Sequence, residues 1–79
     1  MTNFIEELDS GDCFNNSNEL YIVTTDYKKD GSRLCINLKN GFNRWFKPDT
    51  IINKVGIFYT DAESNIVAIK ELSKKDVNA

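Results

Sequence analysis

The chain has 79 residues, of which 41% are hydrophobic and 28% charged, and twelve acidic against ten basic side chains give a formal net charge of −2. A chain this short forms one small domain, residues 1–79, because it cannot divide its buried surface between two cores. The charge provides no overall field for a polyanion and leaves only a local basic patch as a route to nucleic acid. No apolar run approaches the length of a membrane span and no leader pattern opens the chain, so we expect a cytoplasmic protein without membrane contact.

Metal sites, cofactors and catalysis are disfavoured by residue type. Cys13 and Cys35 stand far apart and the chain has no histidine, whereas a structural zinc site takes four ligands that are usually Cys or His. We expect both cysteines to be small buried side chains in a reducing compartment. No histidine serves as a general base, and carboxylates such as Asp9 and Asp12 are more typical of turns than of active sites. We therefore expect no metal, no cofactor and no enzymatic activity.

The first third of the chain predicts one short helical segment and one long strand. Thr2 to Leu8 places apolar residues at helical spacing after an N-cap threonine, which predicts one or two turns in a segment, residues 1–7, that is prone to fray. Leu8 to Phe14 predicts a turn that leads into a short strand, and the polar residues 15–18 predict a loop. Glu19 to Thr25 is rich in aromatic and β-branched residues and predicts a strand.

A charged segment, Asp26 to Ser32, separates this strand from the next. It contains Asp30-Gly31, a hairpin signal, but its length and charge predict a protruding loop with Tyr27 near its base.

The stretch from Arg33 to Thr50 predicts the hairpin around which the sheet is organised. Apolar residues alternate at Leu34, Ile36 and Leu38, then come Asn40 and Gly41, and then Phe42, Arg44 and Phe46 alternate on the return. Asn-Gly is the strongest short hairpin signal, because a type I′ turn needs positive φ at both central residues. We expect the leucines, the isoleucine and the two phenylalanines to point the same way into a closed antiparallel sheet.

Two more strands are predicted after Pro48 and Asp49 end the hairpin. Thr50 to Thr60 is β-rich, with Gly56 marking a bulge, a bend or a boundary between two short strands. Asp61 to Asn65 predicts a polar turn and Ile66 to Leu72 a strand, whereas residues 73–79 are expected to fray.

These elements predict a mainly β fold, with a short N-terminal helical turn. Five or six short strands with tight turns and no crossover helix favour a small antiparallel barrel or curled sheet of SH3-like type, since curling removes edges that promote aggregation. An uncovered edge strand leaves two states open, a monomer or a homodimer formed by edge-strand pairing.

Four motifs carry a resemblance to a group of proteins. They are Leu8-x-x-Gly11-Asp12-x-Phe14, the Leu-Tyr-Ile-Val-Thr run at 20–24, Asn37-Leu38-x-x-Gly41 and Trp45-Phe46-x-Pro48-Asp49-Thr50, and they span residues 8–55. The pattern resembles that of short bacteriophage-encoded proteins with no assigned activity. The resemblance implies a protein made in the cytoplasm of an infected bacterium, with a small β-barrel as its fold, and it implies nothing about function.

The aromatic residues of the hairpin region predict a binding face. If Phe42 and Phe46 point inward, Trp45 lies on the opposite face beside Lys47 and near Tyr21 or Tyr27. An outward tryptophan beside basic groups can stack on a base or a proline, or anchor a protein interface. In the alternative, Trp45 packs under the neighbouring loop as part of a second small core.

The basic residues cluster in the same region, between positions 28 and 47, whereas acidic residues gather towards both ends. The asymmetry fits a basic face on an acidic body, or a solvated hairpin of mixed charge. We predict a non-enzymatic, phage-type accessory protein that binds a host or phage macromolecule, first of all a protein, through the central hairpin. The candidate residues are Tyr27, Lys28, Lys29, Arg44, Trp45 and Lys47. A small barrel that binds single-stranded nucleic acid is the alternative, and a small-ligand-binding protein is the second alternative.

Overall fold

The computed structural model describes residues 2–69 as a mainly β protein, as predicted. Its strands are β1 (Thr2–Phe4), β2 (Cys13–Asn16), β3 (Glu19–Tyr27), β4 (Arg33–Asn37), β5 (Asn43–Phe46), β6 (Ile51–Val55), β7 (Phe58–Thr60) and β8 (Ile66–Ala68). A single 3-10 turn, Ile5–Glu7, follows β1. Predicted strand residues 70–72 and the predicted frayed residues 73–79 lie outside the described part of the chain.

Six strands form one antiparallel sheet in the order β1-β6-β2-β3-β4-β5, and β7 and β8 form a separate two-stranded sheet. Within residues 2–69, β1 and β5 are the two edges of the large sheet, so the sheet is not closed into a barrel. The β1 side meets the segment after β5 through two backbone bonds, from the Ile5 amide to the Thr50 carbonyl at 2.9 Å and from the Glu6 amide to the Pro48 carbonyl at 3.0 Å.

The large sheet is nevertheless strongly curled around an aromatic cluster. Phe14 on β2 and Phe46 on β5 are three strands apart, which is about 14 Å in a flat sheet. Their ring centroids lie 5.2 Å apart, and Tyr21 on β3 lies 4.9 Å from Phe46. The inner face of the curl therefore holds the core. Its buried members are Ile5, Leu8, Phe14, Tyr21, Val23, Cys35, Phe46 and Ile52.

The central hairpin is present, but its faces differ from the prediction. Leu34 pairs with Trp45, whereas Cys35 pairs with Arg44 and Arg33 with Phe46. Directly paired residues share a face, so Phe46 points inward with the odd-numbered residues of β4, and Leu34 points outward with Trp45. The expectation that the leucines and the isoleucine accompany Phe46 into the core is wrong. The outward face of β4 carries Leu34 and Ile36 and the buried face Cys35 and Asn37, so apolar character alone does not decide which face is buried.

The tip of this hairpin also explains where Phe42 lies. The reversal is a four-residue loop, residues 38–41, closed by a bond from the Asn37 amide to the Phe42 carbonyl at 2.8 Å. Phe42 directly follows the loop, and 73% of its surface is exposed. Leu38 is exposed as well. The prediction that Phe42 and Leu38 point into the core is therefore wrong.

Asn40 and Gly41 do lie at the reversal, but they do not form a type I′ turn. Gly41 alone has positive φ, +78°, while the Asn40 side-chain oxygen accepts the Phe42 amide at 3.0 Å. A different turn has positive φ at both of its central residues. Ser17 (52°) and Asn18 (65°) form this two-residue turn between β2 and β3. This is the dihedral pattern of a type I′ turn.

The ends of the described chain refine two predictions. Thr2 is not a helix cap, because Thr2–Phe4 pairs with β6, and the 3-10 turn is instead closed by a bond from the Phe4 amide to the Glu7 carboxylate at 2.6 Å. Gly56 marks a boundary between two strands, β6 and β7, one of the three options that the sequence left open.

Candidate interaction surface

The outward side of β3, β4 and β5 is an apolar surface, which we call the outer apolar face. Its members are Leu20, Ile22, Leu34, Ile36, Leu38 and Trp45. Ile22 pairs directly with Ile36, and Leu34 with Trp45, so the side chains form adjacent rows. Trp45 and Leu38 are each 41% exposed. Sequence reasoning missed this face because it placed half of these residues in the core, although apolar residues on both faces of β3 were a visible signal.

Trp45 is partly exposed and lies beneath a lysine. The Lys28 ammonium is 4.7 Å from the centroid of the Trp45 ring, within range of a cation–π interaction. A tight turn over residues 28–32, closed by the Lys28 amide bonding the Ser32 carbonyl at 2.9 Å, positions this lysine. The structure thus combines the two predicted environments, because Trp45 faces outward and the neighbouring loop covers part of it.

Among the contacts of the described residues, Lys28 is the predicted binding residue that reaches the Trp45 ring. Lys29, Lys47 and Tyr27 are exposed, and Tyr27 pairs with Arg33 at the far end of β3. Arg44 belongs to the inner side of the curl, where its guanidinium carbon lies 4.6 Å over the Phe46 ring.

Tyr21 is not near Trp45 either. It is 3% exposed and stacks on Phe14 inside the curl, with ring centroids 5.4 Å apart. The expectation that Tyr21 flanks the tryptophan is wrong, because the two side chains point to opposite faces of the sheet.

Arg33 is part of the scaffold. Its Nη1 donates to the Leu8 carbonyl at 3.0 Å, and its Nη2 donates to Ser10 Oγ at 3.2 Å and to the Thr24 carbonyl at 3.0 Å. These bonds hold the turn before β2 against β3. Two of the six basic residues between positions 28 and 47, Arg33 and Arg44, are therefore engaged with the body of the protein, so the basic surface is smaller than the sequence suggests.

The 28–32 turn is of mixed charge. The Ser32 amide donates to the Asp30 carboxylate at 2.9 Å. Hydrogen bonds from Ser32 hold the pKa of Asp30 below its ordinary value, so this carboxylate stays ionised at neutral pH beside Lys28.

A shallow open depression of about 340 Å³ lies at one end of the outer apolar face. Leu20 and Leu38 provide its apolar lining, and Asn18, Glu19 and Lys39 complete it. It extends the outer apolar face towards the tip of the central hairpin.

The β7–β8 hairpin is a second exposed apolar region. Phe58 is 60% exposed, Ile66 is 78% exposed, and Tyr59 and Ile69 are exposed as well. No ladder bonds join this hairpin to the six-stranded sheet in the described part of the chain. The sequence predicted its strands but not that they leave the main sheet.

Asp12 and Cys35 carry potentially reactive groups, and contacts within the fold surround both. The Asp12 carboxylate accepts the Asp9 amide at 2.8 Å and lies 3.6 Å from the Lys54 ammonium. Burial raises the pKa of the Cys35 thiol to about 11, which disfavours the nucleophilic thiolate, and Arg33 offsets only part of this effect.

Residues 2–69 contain no group of three or more potential ligands suited to a metal ion. The same residues include no helix long and apolar enough to cross a membrane. Comparison of the chain with protein-family models, curated proteins and solved structures finds no match.

Proposed function

We propose that this chain is a non-enzymatic interaction protein that binds another protein through the outer apolar face. The observation that carries the proposal is the face itself, a contiguous set of leucine, isoleucine and tryptophan side chains on the solvent side of an antiparallel sheet. A sheet with one solvated face ordinarily alternates apolar with polar residues. Contiguous exposed apolar patches with polar surroundings mark interaction sites, and tryptophan is among the residues that contribute most to binding energy.

The setting of this function is part of the proposal. The resemblance in motifs supports a phage-type accessory protein in the host cytoplasm, with a host or phage protein as partner. In this proposal the curled sheet serves as an SH3-like scaffold, and Lys28 and Lys47 form a basic rim beside Trp45.

The test is capture of a partner by the purified protein and by matched variants. Trp45→Ala and Leu38→Asp alter the outer apolar face at opposite ends, while Phe4→Ala removes an aromatic side chain of similar exposure, 43%, from the opposite edge strand. We expect partner recovery to fall at least tenfold for the first two variants and to stay unchanged for the third. Circular dichroism identifies any variant that loses its fold. Folded variants of the outer apolar face that retain the partner would contradict the proposal.

Binding of single-stranded nucleic acid is the alternative, supported by Trp45 with Lys28 and Lys47 nearby. Against it, Lys28 already covers part of the Trp45 ring, and Arg33 and Arg44 are engaged in the scaffold. Titration of a labelled single-stranded oligonucleotide at increasing salt decides the matter. Micromolar affinity with a steep salt dependence supports the alternative, and no binding at low salt removes it.

A further inference from the structure

Within residues 2–69, the β7–β8 hairpin pairs with no third strand. It forms a sheet of only two strands, and its most exposed apolar side chain, Ile66, is open over 78% of its surface. A two-stranded hairpin alone is marginally stable in water, and large exposed apolar side chains mark a contact surface. Another surface must therefore cover this hairpin for it to be well ordered.

The charges of the two exposed apolar regions are opposite. Residues 56–69 carry two acidic side chains, Asp61 and Glu63, and no basic one. Residues 28–47, which include β4 and β5, carry six basic side chains and one acidic. Arg33 and Arg44 lie on the inner side of the sheet, so four lysines and Asp30 remain for the outer side, a net charge of +3. An acidic apolar hairpin and a basic apolar face are complementary in both respects. One chain contains both, and within residues 2–69 no strand ladder joins the hairpin to the sheet that carries the face.

Another occupant of the outer apolar face and another mode of self-association fit less well. Residues 70–79 contain only Leu72 and Val77 as large apolar residues, and their three lysines against two acids have the same sign as the face. Pairing of β5 with β5 of a second copy would bring Arg44 and Lys47 of both chains together, and like charges oppose such an edge contact.

We propose that the β7–β8 hairpin of a second copy of this chain covers the outer apolar face, and that the exchange is reciprocal. The inference rests on the proposed function, because it takes the outer apolar face to be a protein interface and names its partner. Reciprocal exchange about a two-fold axis closes the assembly as a dimer and satisfies both regions in each chain.

The first experiment measures self-association of the full chain by sedimentation equilibrium. We expect a dimer, and we expect Ile66→Ser in the hairpin and Leu38→Ser in the outer apolar face each to raise the dissociation constant about tenfold or more. Phe4→Ser, at the opposite edge of the sheet, is the matched control and leaves the constant unchanged. A chain that stays monomeric at millimolar concentration overturns the inference, as does a dimer insensitive to Ile66→Ser.

The second experiment tests the opposing charges directly. Glu63→Lys gives the hairpin a basic residue, and Lys47→Glu gives the face an acidic one. Each variant alone is expected to dimerise more weakly than the wild type, because like charges then oppose each other. An equimolar mixture of the two is expected to form a heterodimer tighter than either homodimer, since both contacts regain opposite charges. A mixture no tighter than its components contradicts the reciprocal exchange.

The two proposals fail in different ways. A monomeric chain whose Trp45→Ala variant loses a captured protein refutes the exchanged dimer and keeps the proposed function. A dimer that depends on Ile66 but not on Leu38 or Trp45 refutes the exchange, because the hairpin then binds some other surface of the second copy. The proposed function fails only if folded Trp45→Ala and Leu38→Asp variants also retain a captured partner.

Discussion

Truncating the two phenylalanines of the central hairpin separates the observed fold from the face assignment that the sequence suggests. Phe46 is 3% exposed and contacts the rings of Phe14 and Tyr21, whereas Phe42 is 73% exposed at the end of the loop. The alternation in the sequence treats both as core residues. We therefore expect Phe46→Ala and Phe42→Ala to have very different effects on the free energy of unfolding.

The magnitudes follow from burial. Replacing a buried phenylalanine by alanine costs about 3–5 kcal/mol, which includes its edge-to-face ring contacts. A domain of this size has a total stability of about 4–12 kcal/mol, so Phe46→Ala removes a large fraction of it. Phe42→Ala removes a mostly solvated ring and leaves the backbone bond between Asn37 and Phe42 in place, so we expect a change within about 0.5 kcal/mol.

Urea denaturation followed by circular dichroism measures both changes. The slope m is about 1 kcal/mol per molar urea for a small domain, so the midpoint of Phe46→Ala falls by about 3 M or the variant is unfolded in water. Measurement at two protein concentrations separates folding from any self-association. Similar losses for the two variants would refute the register described above and restore the alternation in which Phe42 is buried.

Local geometry leads to three further predictions. The denaturation midpoint measures the first two. Ser17→Asn with Asn18→Gly should stabilise the protein by about 1 kcal/mol, because both positions have positive φ; no gain would argue against a type I′ turn there. Gly31→Ala should destabilise the protein more than Gly41→Ala. Both glycines have positive φ, but only a Cβ at position 31 would meet a side chain, that of Pro48 at 3.3 Å. Equal losses of stability in the two variants would contradict this. Burial raises the pKa of Cys35 from 9.0 to about 11, so the stabilising effect of its protonated thiol is present below pH 9 and is lost as pH rises towards 11. In thermal melts across this range, the melting temperature of Cys35→Ala should decline less than that of the wild type.

Much of the secondary structure was predictable because its signals are local. The predicted strand Glu19–Thr25 covers β3 from its first residue to two residues before its end, and the reversal at Asn40 and Gly41 lies between β4 and β5. Gly56 falls between β6 and β7 as one of the expected options. β-branched density and turn residues act over a few positions, so they identify these elements without knowledge of their partners.

The faces of the strands were not predictable, because they depend on distant partners. In β4, Leu34 and Ile36 look more suited to a core than Cys35 and Asn37, yet the last two are buried. Asn37 is accommodated because its side-chain oxygen accepts the Lys39 amide at 2.8 Å and so caps the turn. Alternation gives two candidate faces, and only pairing with neighbouring strands decides between them.

The predicted basic residues do not form one patch, because their positions also depend on distant partners. Lys28 reaches Trp45, but Arg44, although exposed, lies over Phe46 on the inner side of the sheet, and Arg33 bonds to Leu8, Ser10 and Thr24. Arginine forms several directed hydrogen bonds, so it serves as a scaffold residue as readily as a surface charge. A cluster of basic residues in the sequence therefore overestimates the basic surface whenever arginines form part of it.

The distribution of apolar side chains connects the fold to the proposed function. A curled sheet of short strands has one concave side, and Phe14, Tyr21 and Phe46 already fill it, so the leucines and isoleucines of β3 and β4 that face outward have no room inside. The β7–β8 hairpin adds a further apolar surface that the curl does not cover. Moving these residues into the core would require a second layer, and the described residues provide none. The apolar content of residues 2–69 thus exceeds what one small curled sheet buries, and burial of the remainder by another molecule is the physical basis of the proposed interaction role.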